Sequence, residues 1–324
     1  MVNRTRGFRA ALASALFLGL LPVFGKQAIL LGMPPLAVVA LRTVLAASLL
    51  LGVMIVFQRA YLYIYPVGFF GCLLAGGLNG FGSLLFYTAL GRIDAGLGQL
   101  LYSLYPLFTI LWFRLDRQKS SSLTFFRLLL AVPAVYLLIQ TPKNELDGVG
   151  VAMMLAAALL YALHLPINQR VLYDVPAPTV TLYTLLAMSA VVVPASIVGK
   201  AIPVIPPYAG WISVLPGQAW WALAGLTLVT FFSRLALFLG VKHIGGMQTA
   251  FLGLGELFVT VLFAQLWLGE RLSLAQWLGA SLLILSLSLV LFEKPFSQTR
   301  QLGGWLSWLH SPGLPDRLTK QSQD

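Results

Sequence analysis

Glu256 is the sole charged residue in FLGLGELFVTVLF (251–263). A carboxylate placed there could carry a proton, pair with a cation, or meet a bound substrate. Arg234 lies on the preceding apolar run, offset from Glu256 by about 6 Å along a helix axis at ~1.5 Å per residue. An arginine side chain spans that distance, so Arg234 is the expected partner, in a permanent pair or in one that opens and closes during function. Arg42 lies nearer the other end of its own run and could attract a carboxylate group of a substrate. Gln99, Tyr102, Ser103 and Pro106 follow i, i+3, i+4, i+7 spacing and would share one helix face. Gln248, Phe251, Leu252 and Gly255 trace a matching face in the Glu256 run. Together they would line a cavity with amides and rings, unless each only bonds a neighbouring helix. His164, with Tyr161 and Asn168 at helical spacing, could titrate, or could be a packing residue.

Other chemistries find no support. Gly25-Lys26 is followed by Gln27, and GxxxxGK[ST] does not occur, which argues against nucleotide hydrolysis. His164, His243 and His310 are scattered without HExxH or a cysteine partner, so no metal or other cofactor is expected. Cys72 is the only cysteine. Gly76, Gly77, Gly80 and Gly82 in GGLNGFG stand inside an apolar run, where small residues let helices approach closely.

The solvent around these groups follows from composition. Of 324 residues, 59% are hydrophobic and 10% charged, with mean hydropathy +0.87. Soluble domains carry about 25% charged residues. Ten apolar runs fall near 10–31, 35–57, 67–90, 95–115, 123–140, 148–168, 178–198, 219–240, 246–267 and 273–292. Most have the ~20 residues that a helix needs to cross a bilayer. The chain reads as an all-α polytopic membrane protein. The first run lacks a small-x-small cleavage site and reads as a retained helix rather than a signal peptide. Prolines 203, 206, 207 and 216, mixed with Tyr208 and Trp211, mark the one long connection, 200–218.

A net charge of +11 suggests nucleic acid at first sight, but the positions of the charges argue for topology and no nucleic-acid partner. With the N-terminus inside, 14 Lys and Arg fall on the inner side and 5 on the outer; Arg42 and Arg234 within runs complete the 21. That bias puts both termini in the cytoplasm. Trp305 and Trp308, in the tail after Pro295, would lie at the inner interface.

The chain also repeats. LPVFGKQAILLGMPP (21–35) aligns with LPINQRVLYDVPAP (165–178) at an offset of 144, bringing Pro22 over Pro166 and Lys26 over Arg170. LFTILWF (107–113) matches LFVTVLF (257–263). Five spans per copy is odd, so the second copy enters the membrane inverted, a plan that suits secondary transport with a site between the halves.

These segments resemble a known family. YTALGRIDAGLGQLLYSLYPLFTILW (87–112), LRTVLAA (41–47) and GGMQTAFLGLGELFVTVLFAQLWLGERLSLAQWLGASLLIL (245–285) look like the two EamA-type repeats of the drug/metabolite transporter superfamily. LGERLSLAQWLGA is the most specific element; the first copy has RLDRQKSSSL (114–123) there instead. The resemblance implies ten transmembrane helices as two inverted five-helix repeats, 10–140 and 148–292, between cytoplasmic tails 1–9 and 293–324. It implies secondary transport, with export favoured, of a small organic metabolite such as an amino acid or drug-like compound. The partners expected are that small-molecule substrate, the lipid bilayer of a bacterial inner membrane, a proton as candidate coupling ion, and a second copy in a candidate homodimer. A lipid flippase of the same fold is the alternative. An intramembrane lipid-modifying enzyme would need a clustered nucleophile, base or metal, and the dispersed polar residues do not favour an enzyme.

Overall fold

The computed structural model describes residues 4–115, 123–139, 147–198, 219–245, 248–249, 252–253 and 255–289. The segment 200–218, most of the turn 114–123, Phe251 and the tail with Trp305 and Trp308 lie outside the described residues. All elements described are helical. In chain order they are α1 (Arg4–Leu30), α2 (Pro35–Phe57), α3 (Pro66–Leu90), α4 (Ala95–Tyr102), α5 (Tyr105–Leu115), α6 (Leu123–Ile139), α7 (Gly148–Val171), α8 (Ala177–Val198), α9 (Trp220–Ile244), α10 (Gly255–Trp267) and α11 (Leu274–Ser288). A short 3-10 turn, Arg59–Leu62, links α2 to α3. Six of these, α1, α2, α3, α7, α8 and α9, are each long and apolar enough to cross a membrane.

Sequence chemistry sets the helix ends. Pro35 and Pro66 open α2 and α3, where a missing N–H costs nothing because the first-turn donors have no intrahelical acceptor. Asp147 caps α7, accepting from Val149 N at 3.0 Å and Gly150 N at 3.1 Å. Pro22 and Pro166 lie inside α1 and α7, at matching places in the two halves.

The fourth span was expected to run unbroken over 95–115, and it does not. α4 ends at Tyr102 and α5 restarts at Tyr105. Pro106 has no N–H to donate to the Tyr102 carbonyl, and its ring crowds that turn. Ser103 turns inward and donates to Leu100 O at 2.6 Å. The ninth span is also interrupted. Gly253 N bonds Thr249 O at 2.9 Å, Gly253 forms a turn, and α10 begins only at Gly255. Both halves thus carry a discontinuous helix at the corresponding place, a feature of transporter midplanes.

Packing follows the repeat. α1 lies on α9 as α7 lies on α3, and α1 on α10 as α7 on α5. α2 meets α8, and α6 meets α11, each pair joining equivalent helices. Small residues allow the closest approaches. A Cβ at Gly76 would stand 2.5 Å from the Thr184 carbonyl of α8, and one at Gly279 2.8 Å from the Ala134 carbonyl of α6. This is the role expected for glycine in GGLNGFG at Gly76 and Gly80; Gly77 has open space.

Candidate functional site

Midway along the bundle, α1, α2, α3, α4, α7, α9 and α10 enclose a cavity of about 490 Å³ counting its open part. Its charged walls are Arg42 from α2, Arg234 from α9 and Glu256 from α10, exposed by only 2%, 4% and 3%. Gln99 and Tyr102 come from α4, Asn79, Ser83 and Tyr87 from α3, and Tyr161 from α7.

Each charge is held differently. Arg42 Nη1 donates to Thr230 Oγ1 at 3.2 Å and Nη2 to Ser83 Oγ at 3.4 Å, while the guanidinium carbon lies 4.7 Å from the centre of the Tyr87 ring. Arg234 faces Asn79: with the amide oxygen turned toward it, Nη1 and Nη2 donate at 3.1 and 3.0 Å. Its guanidinium carbon stands 5.9 Å from the Tyr161 ring centre. Glu256 sits in the first turn of α10, where the helix dipole favours negative charge, and its own N–H bonds Gly253 O at 2.8 Å. Gly19 makes room for it: a Cβ there would meet the Glu256 carbonyl at 2.5 Å. Thr260 Oγ1 ties α10 to α1 through Gly19 O at 2.6 Å. Gln99 stands beside the Glu256 carboxylate with its side chain in hydrogen-bonding reach, while Glu256 Oε1 has no partner of its own. Arg42 Nε and Arg234 Nε are also unpartnered.

The direct Arg234–Glu256 ion pair expected from the sequence does not form. Arg92 and Asp147, in the loops, do form an ion pair, at 2.7 Å. Asn79 and Tyr161 engage the Arg234 guanidinium, so it influences Glu256 through space without contact.

The other expected residues divide. Arg42, Gln99 and Tyr102 join Arg234 and Glu256 in the cavity wall. Ser103 is buried behind it and bonds backbone. His164 is fully buried behind Tyr161, stacked on that ring at 5.2 Å and 20°, and 5.9 Å from the ring of Phe238. Gln248 is half-buried and does not line the cavity. Asn79, Ser83 and Tyr87 escaped notice, although they recur at i, i+4 and i+8 and would have passed the spacing test applied to Gln99.

A second polar cluster closes the end of the bundle formed by the 31–34, 91–94 and 268–273 connections. Glu270, from LGERLS, caps α4: its carboxylate accepts from Ala95 N and Gly96 N, each at 2.8 Å. Lys26 Nζ donates to Leu90 O and Ile93 O, each at 2.9 Å, at the end of α3. A residue of the second repeat therefore fixes the half-helix that carries Gln99 in the first. Burial pushes the Glu270 carboxyl above its ordinary value; the two backbone N–H bonds and the charge of Lys26 pull the other way.

The architecture agrees with comparisons to known proteins. A family model described as the EamA-like transporter family matches residues 5–140 and again 148–292. A relative from Bacillus subtilis (strain 168), described as "Uncharacterized transporter YcbK", is 25% identical over 201 residues, 60% of this chain. The match spans 63% of that relative's length. A crystal structure described only as that of a protein superposes with a TM-score of 0.63 at 16% identity, covering 90% of this chain and 98% of that one, a likeness of fold.

Proposed function

The chain belongs to the EamA-like transporter family and is a multi-pass membrane transporter, and on that premise we propose that it is a secondary exporter of a small organic metabolite, working by alternating access. The observation that supports this reading is the cavity at mid-bundle, walled by both repeats and by charged groups with unpartnered atoms. Rocking the repeats would expose it to one side and then the other. Glu256, at the head of a half-helix, is the group best placed to exchange between a proton and a substrate contact, with Arg234 biasing it from nearby. Gln99 and Tyr102 would touch substrate, and the bacterial cell membrane is its proposed location.

Uptake by liposomes carrying the purified chain, with and without an imposed proton gradient, over a panel of amino acids, nucleosides and organic monoanions, tests the proposal. Gradient-dependent accumulation of one class is expected, and it should vanish in Glu256→Gln. Movement of headgroup-labelled lipid between leaflets with no solute flux would replace the proposal with lipid flipping.

A further inference from the structure

We infer that the cavity takes an organic monoanion, a carboxylate on an aromatic or apolar body, held by Arg42 and Arg234; the inference rests on reading this cavity as the substrate site. Three ionisable side chains face it among the described residues, two guanidiniums and one carboxyl, each at least nine-tenths buried. No ion pair joins them, and both guanidiniums face the same cavity. With the Glu256 carboxyl ionised, one unit of positive charge is left over in a low-dielectric interior, where an uncompensated charge is costly.

A ligand with one negative charge cancels that excess. A zwitterion leaves it in place, and a phosphate monoester, with about two charges at neutral pH, overshoots it. The free Nε atoms of Arg42 and Arg234 are N–H donors, and planar guanidinium forks match carboxylate geometry. Around them, Tyr102 stacks edge-on against Phe86 at 5.0 Å and tilts against Tyr161 at 5.4 Å. Those rings suit the flat apolar remainder of the molecule.

Matched probes separate charge from shape: phenylacetate, its neutral amide phenylacetamide, the cation phenylethylammonium, and zwitterionic phenylalanine. Binding is read from the concentration dependence of the unfolding temperature of the purified full chain in chloride-free buffer. Phenylacetate should bind at least about tenfold more tightly than the other three, as expected for losing one charge-assisted hydrogen bond. Arg42→Gln should weaken phenylacetate about tenfold, and Glu256→Gln should tighten it, since the two changes move the cavity charge in opposite directions. Equal binding of the amide, tighter binding of phenylalanine, or no binding of phenylacetate to the wild type overturns the inference. So does displacement of phenylacetate by excess chloride, which would mark a site for small inorganic anions. The wild-type comparison stands even where a variant fails to fold. Proton-driven flux of a cation or zwitterion that phenylacetate does not inhibit sinks this inference and leaves the transporter reading intact. Phenylacetate binding with no flux of any solute does the reverse.

Discussion

Glu256 shares the cavity wall with Arg42 and Arg234 and forms an ion pair with neither, and that arrangement sets what its removal would do. It is the one acidic residue of the cavity wall among the described residues. Where Glu256 is ionised, Glu256→Gln raises the buried positive charge from one unit to two. It should lower the unfolding temperature of the purified chain, by an amount equivalent to about 1–3 kcal/mol. Pairing it with Arg42→Gln restores the wild-type charge count, so the double variant should melt closer to wild type than Glu256→Gln alone. Additive losses would show that the two residues do not share one electrostatic field. Arg234→Gln has a different consequence, because Asn79 then loses the donors that hold it; recovery through Asn79→Leu would identify the hydrogen bond as what was lost.

At the scale of elements, two short helices carry Gln99, Tyr102 and Glu256 because two longer spans are broken. Pro106 accounts for the first break, and Pro106→Ala restores the missing donor. α4 and α5 should then join, leaving the unfolding temperature equal or higher while transport in liposomes falls, since Gln99 and Tyr102 no longer sit on a separate segment. The Glu270 cap makes a second prediction. Its carboxyl is raised by burial, so the folded chain holds that proton more tightly than the unfolded chain. Stability from this group is therefore greatest below the ordinary glutamate value of 4.5 and declines as pH rises through the raised one. The gap in unfolding temperature between wild type and Glu270→Gln should move in favour of the variant across that window. A pH-independent gap would mean that the carboxyl does not titrate there. Glu270→Ala leaves Ala95 N and Gly96 N without their acceptor and should cost about 1 kcal/mol.

The whole molecule is two copies of one five-helix plan, each unable to bury its own polar residues. α1 needs α9, and α7 needs α3, so neither repeat closes a cavity alone. An inverted pair also demands that the ends of the two copies face opposite sides. Reporter fusions after Ser120 and after Asp324 should read cytoplasmic and one after Glu145 external. Opposite readings at Ser120 and Asp324 would contradict the inversion.

Much of this was readable in order along the chain, because helix formation in a bilayer is local: every backbone hydrogen bond closes within the segment. Run length and hydropathy therefore mark the spans, basic residues suggest their orientation, and LGERLS with the surrounding motif points to the family. Glu256 and Arg234 stand out for the same reason, since any charge in an apolar run is conspicuous. What they touch was not legible. The sequence offers Arg234 as a partner by axial height alone, whereas rotation about each helix axis, set by contacts such as Gly19 against α10 and Gly76 against α8, turns the guanidinium to Asn79. Glu270 is the clearest case. Its two bonds reach backbone N–H groups 174 and 175 residues away. Every residue carries such groups, so only the tertiary structure decides which ones meet the carboxylate.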